Sequence, residues 1–263
     1  MTGVWVAAGL MALGLLAGCA APFAGGSSLA ESSASAQETP ERKRARIRLE
    51  LAVGYFEEGR TAIALDEVRQ ALATDPHFAA AHNLRGLILM RLHEVGPAEA
   101  SFRRALALAP HDPDNHHNLG WLLCQQSRHA EAADAFQRAL AQPSYTGPAK
   151  TWMAQGLCQA RAGRLAEAER SLVRAYELDA GNPVTGYNLA RLLFDRREDA
   201  RARFYIRRLN NTELANAESL WLGVKVEKRL GDEVVASQLG DQLRRRFPQS
   251  RESAAYERGA FHE

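Results

Sequence analysis

Small residues recur along this chain at nearly constant spacing. Ala64, Ala98, Ala132, Ala168, Ala202 and Ala236 stand 34, 34, 36, 34 and 34 residues apart. A second column follows seven residues later, at Ala71, Ala105, Ala139 and Ala175, with Leu209 and Leu243 in the last two places. A third precedes the first by twelve residues, at Ala52, Gly86, Gly120, Gly156, Ala190 and Val224. A unit of this length holds two antiparallel helices, and small side chains are needed where the two axes touch. Bulky neighbours such as Tyr55, Phe102, Phe136 and Leu172 fill the space beside them. Gly59, Gly163 and Gly231 fall at the turn between the helices, where a positive φ costs glycine least. Pro76, Pro110 and Pro248 close three of the units, because proline lacks the N–H that a further turn requires.

A 34-residue period with this pattern is the signature of tetratricopeptide repeats. The expected fold class is all-α, a right-handed superhelical solenoid of six helix-turn-helix repeats over residues 43–252. Residues 253–263 read as a polar, frayed tail. Composition agrees, since apolar residues make up 46% of the chain while aromatics supply 7%, leaving alanine and leucine as the bulk of the core. The fifth unit departs from the pattern, with Asp195-Arg196-Arg197-Glu198 where a turn glycine is expected. The two extra residues between units three and four fall within Pro143-Ser144-Tyr145-Thr146-Gly147-Pro148, a rigid surface loop.

The first forty residues differ in kind. Val4 to Ala17 is an apolar run too short to span a bilayer comfortably, and it ends in Leu16-Ala17-Gly18-Cys19. That string resembles the lipobox of bacterial lipoproteins, which implies a signal peptide over residues 1–18 and a mature, lipidated Cys19. An ordinary signal with an incidental cysteine is the competing reading. Met1-Thr2-Gly3-Val4-Trp5 lacks the positive charge with which such signals usually begin. Ala20 after the cysteine, rather than aspartate, resembles the sorting signal for the outer membrane. Residues 19–42 read as a flexible tether, rich in Ala, Gly, Ser and Pro near its start.

Several strings carry a closer resemblance. They include Asn118-Leu119-Gly120-Trp121-Leu122-Leu123-Cys124-Gln125-Gln126, Pro143-Ser144-Tyr145, Gly156-Leu157-Cys158, Ser219-Leu220-Trp221-Leu222-Gly223 and Phe247-Pro248-Gln249-Ser250. Over roughly residues 49–252 the chain resembles the PilF/PilW family of type IV pilus biogenesis proteins. The resemblance implies an outer-membrane lipoprotein on the periplasmic face, a pilotin that helps the pilus secretin localise and form its multimer. An adaptor recruiting a periplasmic protease or murein hydrolase is the alternative. Arg197, in place of the family's usual glycine, is one departure.

With Cys19 lipidated, Cys124 and Cys158 remain, an even pair one repeat apart. With the two-residue insertion they occupy neighbouring slots on stacked first helices, so a disulfide between them is expected, two buried free thiols being the alternative. No metal is expected, because no second ligand pair accompanies the cysteines. By repeat phase, Phe56, Leu87, Met90, Trp121 and Gln125 point into a concave protein-binding groove, or else pack between repeats. His111, His116 and His117 with Asp112 and Asp114 read as a polar turn rather than a chelate. The 33 basic and 31 acidic residues nearly cancel, so no nucleic-acid partner is expected. No nucleophile elbow and no phosphate loop appears, and the chain reads as non-enzymatic, with no cofactor and no small-molecule substrate.

Overall fold

The structure, a computed structural model, describes residues 38–261. The lipobox with Cys19, and residues 20–37 of the stretch read as a tether, lie outside the described residues. Thirteen helices and no strand are found among the described residues. Twelve form six hairpins: α1 (Pro40–Glu57) with α2 (Thr61–Thr74), α3 (Ala79–Arg91) with α4 (Val95–Leu108), and α5 (Pro113–Gln125) with α6 (His129–Leu140). The second three are α7 (Pro148–Arg161) with α8 (Leu165–Leu178), α9 (Pro183–Asp195) with α10 (Asp199–Asn210), and α11 (Ala217–Arg229) with α12 (Glu233–Arg246). A short helix, α13 (Arg251–Glu257), is the last among the described residues. No helix among the described residues is long and apolar enough to cross a membrane.

The columns of small residues are the hairpin contacts. Ala64, Ala98, Ala132, Ala168, Ala202 and Ala236 are all fully buried. A Cβ added at Gly86 would come within 2.5 Å of the Phe102 ring, and one at Gly120 within 2.9 Å of the Phe136 ring. In the second, third and fourth hairpins the bulky residue of the second helix therefore lies against the backbone of the first, leaving no room for a Cβ, while Ala52, Ala190 and Val224 hold that position in the others.

Stacking follows from the same contacts. Each second helix packs against the first helix of the next hairpin, as α2 does with α3 and α4 with α5. Successive first helices also touch one another, α1 with α3 through to α9 with α11, whereas the second helices form no such direct packing. The stack is thus tighter on the side of α1, α3, α5, α7, α9 and α11, which makes that side the inner, concave layer. Ion pairs bridge the looser outer side. Arg128 reaches Glu99 of α4 at 2.7 Å and Glu131 of α6 at 2.6 Å, and Glu169 of α8 is held by Arg196 and Arg201.

All six hairpin turns adopt one left-handed residue, but only three use glycine. Gly59, Gly163 and Gly231 have φ of 77°, 74° and 77°. His93, Ser127 and Arg197 take the same position with φ of 62°, 60° and 64°. The departure at Arg197 therefore leaves the turn intact and strained.

Two boundaries differ from the sequence expectation. Helix α1 begins at Pro40, inside the stretch read as tether, because Thr39 caps it by accepting from the Arg42 N–H at 3.1 Å and proline suits a first helical position. The tail read as frayed is a capping helix. Ser250 accepts from the Ser253 N–H at 3.0 Å, and the Tyr256 ring covers Gly240, where a Cβ would overlap it. Trp221, Tyr256 and Phe261 stack with centroids 5.5 to 6.4 Å apart. Replacing Arg197 by glycine should raise stability by about 1 kcal/mol, and Gly163→Arg should lower it by a similar amount, both read from denaturation midpoints.

Candidate functional site: the concave face

The inner layer is apolar in its first half. Phe56 at the end of α1, Leu87 and Met90 of α3 and Trp121 of α5 are half-buried and pack against the core that runs from α1 to α7. Gln125, one turn beyond Trp121, is exposed. All five residues expected in the groove therefore lie on the inner helices, and four combine contact with the core and partial exposure.

Sequence reasoning passed over the cations that cover these rings. The Arg91 guanidinium lies 3.8 Å from the Phe56 centroid and donates to the Phe56 carbonyl at 2.7 Å. Arg161 lies 5.0 Å over Trp121, and Arg229 lies 3.2 Å over Phe194 while pairing with Asp199. Arg91, Gln125, Arg161, Asp195 and Arg229 occupy one repeat position. The column was visible in the sequence, yet only its exposed glutamine stood out. A cation over an aromatic face stiffens the ring and holds positive charge at the groove wall.

The second half of the inner layer is mixed in charge. A depression of about 250 Å³ is lined by Tyr187, Arg191, Glu218, Trp221, Lys225 and Glu252, with Leu222. The Lys225 ammonium sits 5.6 Å from Phe194 and 5.5 Å from Trp221. Burial pushes its pKa below the usual lysine range, the charges of Arg191 and Arg229 act the same way, and Asp195 opposes them.

Between the halves, Cys124 of α5 and Cys158 of α7 are joined by a disulfide, their Cα atoms 5.7 Å apart. His129 Nδ1 lies 3.5 Å from Cys158 Sγ. These three ligand atoms are within 4.8 Å of one another, a donor set that suits a soft metal ion when both thiols are free. The bond between the sulfurs removes the thiolates such an ion needs. His129 stands five residues beyond Cys124, but Cys158 follows 29 residues later, so no compact ligand motif marks the three together in the sequence.

The inserted loop at this joint is fastened by side chains. His117 Nδ1 and the Tyr145 hydroxyl meet Thr151 Oγ1 at 2.8 and 2.6 Å, and Lys150 pairs with Asp114 at 2.6 Å. Asp112 caps α5, and the ring of His116 meets the Pro110 carbonyl at 2.8 Å. The histidines and aspartates thus serve the turn and the joint. Burial lowers the pKa of His117 to about 4, the Lys150 charge adding to it and Asp114 opposing.

A stack of six helical hairpins with a curved inner face defines a tetratricopeptide repeat protein, and the chain belongs to that family, whose model matches residues 49–113, 98–147 and 117–183. Within it, the chain groups with the type IV pilus biogenesis proteins PilF and PilW. It is 28% identical over 204 residues to the type IV pilus assembly protein PilF of Pseudomonas aeruginosa, covering 78% of this chain and 81% of that protein. The solved structure of Pseudomonas aeruginosa PilF superposes with a TM-score of 0.75 at 27% identity, covering 84% of this chain and all of the other. PilW, described as a widely conserved type IV pilus biogenesis factor, superposes with a TM-score of 0.74 at 30% identity, covering 81% of this chain and 97% of the other.

Two outcomes follow from the joint. The disulfide closes a loop of about 34 residues, so Cys158→Ser should cost about 3 to 4 kcal/mol in chemical denaturation. His117 binds its proton near 6.5 when unfolded and about 4 when folded. Its contribution is complete above pH 6.5 and is lost as pH falls toward 4, up to about 3 kcal/mol. Denaturation midpoints should therefore drop on acidification, and less so in His117→Asn.

Proposed function

We propose that this chain is a lipid-anchored binding scaffold of type IV pilus assembly, a pilotin that promotes localisation and multimerisation of the pilus secretin at the outer membrane. The anchor in this reading is the acylated Cys19, since two or more acyl chains hold a protein stably at a bilayer. The observation that carries the reading is the row Phe56, Leu87, Met90 and Trp121, apolar and half-exposed along one concave face. Such a row suits an amphipathic segment of a partner protein, with methionine adapting its shape to the ligand. The relationship to PilF and PilW supplies the pilus context.

Deleting the gene should remove heat-resistant secretin multimers from outer membranes, and the wild-type gene should restore them. Cys19→Ala should fail to restore outer-membrane placement. Trp121→Ala, compared at a temperature where the variant remains folded, should weaken binding of the secretin about tenfold or more, whereas Gln125→Ala should change it little. Normal multimers and normal pili in the deletion strain would sink the pilotin reading.

A further inference from the structure

Among the described residues the solenoid is capped at one end only. Helix α13 closes the last hairpin, but the outward face of α1 is open. Ile47 and Leu51 are 47% and 49% exposed. In the five later repeats the position of Ile47 is held by Ala81, Asn115, Thr151, Thr185 and Ser219, none more than 2% exposed. There the covering element is the second helix of the preceding hairpin, which packs on the first helix of the next. Among the described residues no such helix precedes α1. Its outward side is a stacking face on which no described hairpin lies.

Gly54 marks what that face accommodates. It lies inside α1, where glycine costs up to about 1 kcal/mol relative to alanine. Gly86, Gly120 and Gly156 are each explained by a ring or leucine pressed on the backbone, but a Cβ at Gly54 would meet nothing within 4 Å. Its repeat counterparts Ile88, Leu122 and Val226 are large and buried. Nothing among the described residues requires glycine here, whereas the close approach of a second body would. Ile47, Glu50, Leu51, Gly54, Tyr55 and Glu58 line a depression of about 400 Å³ at this point.

We propose that the open face of α1 is a self-association surface, on which α1 of a second copy lies antiparallel across Leu51 and Gly54. Charge selects this occupant and this direction. The first half of α1 carries Arg42, Lys43, Arg44, Arg46 and Arg48 against Glu41, and its end carries Glu57 with Glu58 at the cap. A two-fold axis at Leu51 sets Arg44 opposite Glu58, and Ile47 opposite Tyr55, of the other copy. Arg44 and Glu58 now make exposed pairs within their own chain, with Glu41 at 2.9 Å and Arg60 at 3.4 Å, which exchange at little cost. An antiparallel helix is also what the slot takes elsewhere in the stack, since a second helix runs opposite to the first helix that follows it. Residues 20–37 are a poorer occupant, because Phe23 and Leu29 are their only large apolar side chains. One helix face against another is a small interface, below about 1,200 Å², so the association is transient and is best trapped covalently. The surface is separate from the concave groove, and the inference does not depend on the groove's ligand.

The test introduces Leu51→Cys into the full chain, with wild type and Val234→Cys as controls, Val234 being 69% exposed on α12. Under mild thiol oxidation, Leu51→Cys should give a product of twice the chain mass at least tenfold faster than Val234→Cys. Adding Gly54→Leu should suppress that product at least fivefold while thermal stability is unchanged or raised. The proposal is overturned if Leu51→Cys cross-links no faster than Val234→Cys, or if the product's mass shows a different protein. It is equally overturned if Gly54→Leu leaves the rate unchanged, or if deleting residues 20–37 is needed to expose the face.

Discussion

In the second, third and fourth hairpins a glycine of the first helix receives a ring or branched chain of the second, and the rest of the molecule depends on close contacts of this kind. Where Phe102 lies on Gly86 or Phe136 on Gly120, the helix axes come close enough for both apolar faces to leave water. Only then does the hairpin have a flat side on which the next can stack. Because the first helices touch their successors and the second helices do not, the stack bends, and the bend turns the first helices into an inner wall. The row from Phe56 to Trp121 thus lies on a concave face because alanines and glycines lie beneath it.

The joint between the third and fourth hairpins shows how the stack absorbs an irregularity. Two inserted residues break the period, and the loop they lengthen is tied back through Tyr145, Thr151 and His117. The disulfide crosses the same joint on the inner wall. The character of the wall also changes near there, from an apolar row before it to Arg191, Lys225, Glu218 and Tyr187 after it. The core follows a similar division, one cluster ending at Cys158 and a second beginning at Ala168.

Much of this fold was legible because repetition samples the same physical constraint six times. One buried alanine is weak testimony, but Ala64 and its five successors in phase specify a hairpin contact. What occurs once was harder to read. His93 and Ser127 adopt a left-handed backbone with no local signal, since the stacked hairpins on either side impose the turn. The last helix was mistaken for a frayed tail because its support is remote: Tyr256 fits over Gly240 and beside Trp221, partners that only the fold brings together. On the inner helices, Trp121 and Met90 stood out by repeat phase as groove candidates, whereas the guanidinium above each ring depends on the reach of a side chain from the next hairpin.

A chain of hairpins that contact only their neighbours behaves as a spring, uncoiling a little at every joint when its groove is forced wider. Widening stretches the inner side of the coil. The Cys124–Cys158 bond lies on that side, at the middle joint, and a covalent link does not stretch. Compliance is therefore displaced toward the two ends. The result is less a continuous coil than a pair of jaws hinged on a fixed centre, one jaw greasy and the other polar, each free to adjust its grip while the other holds.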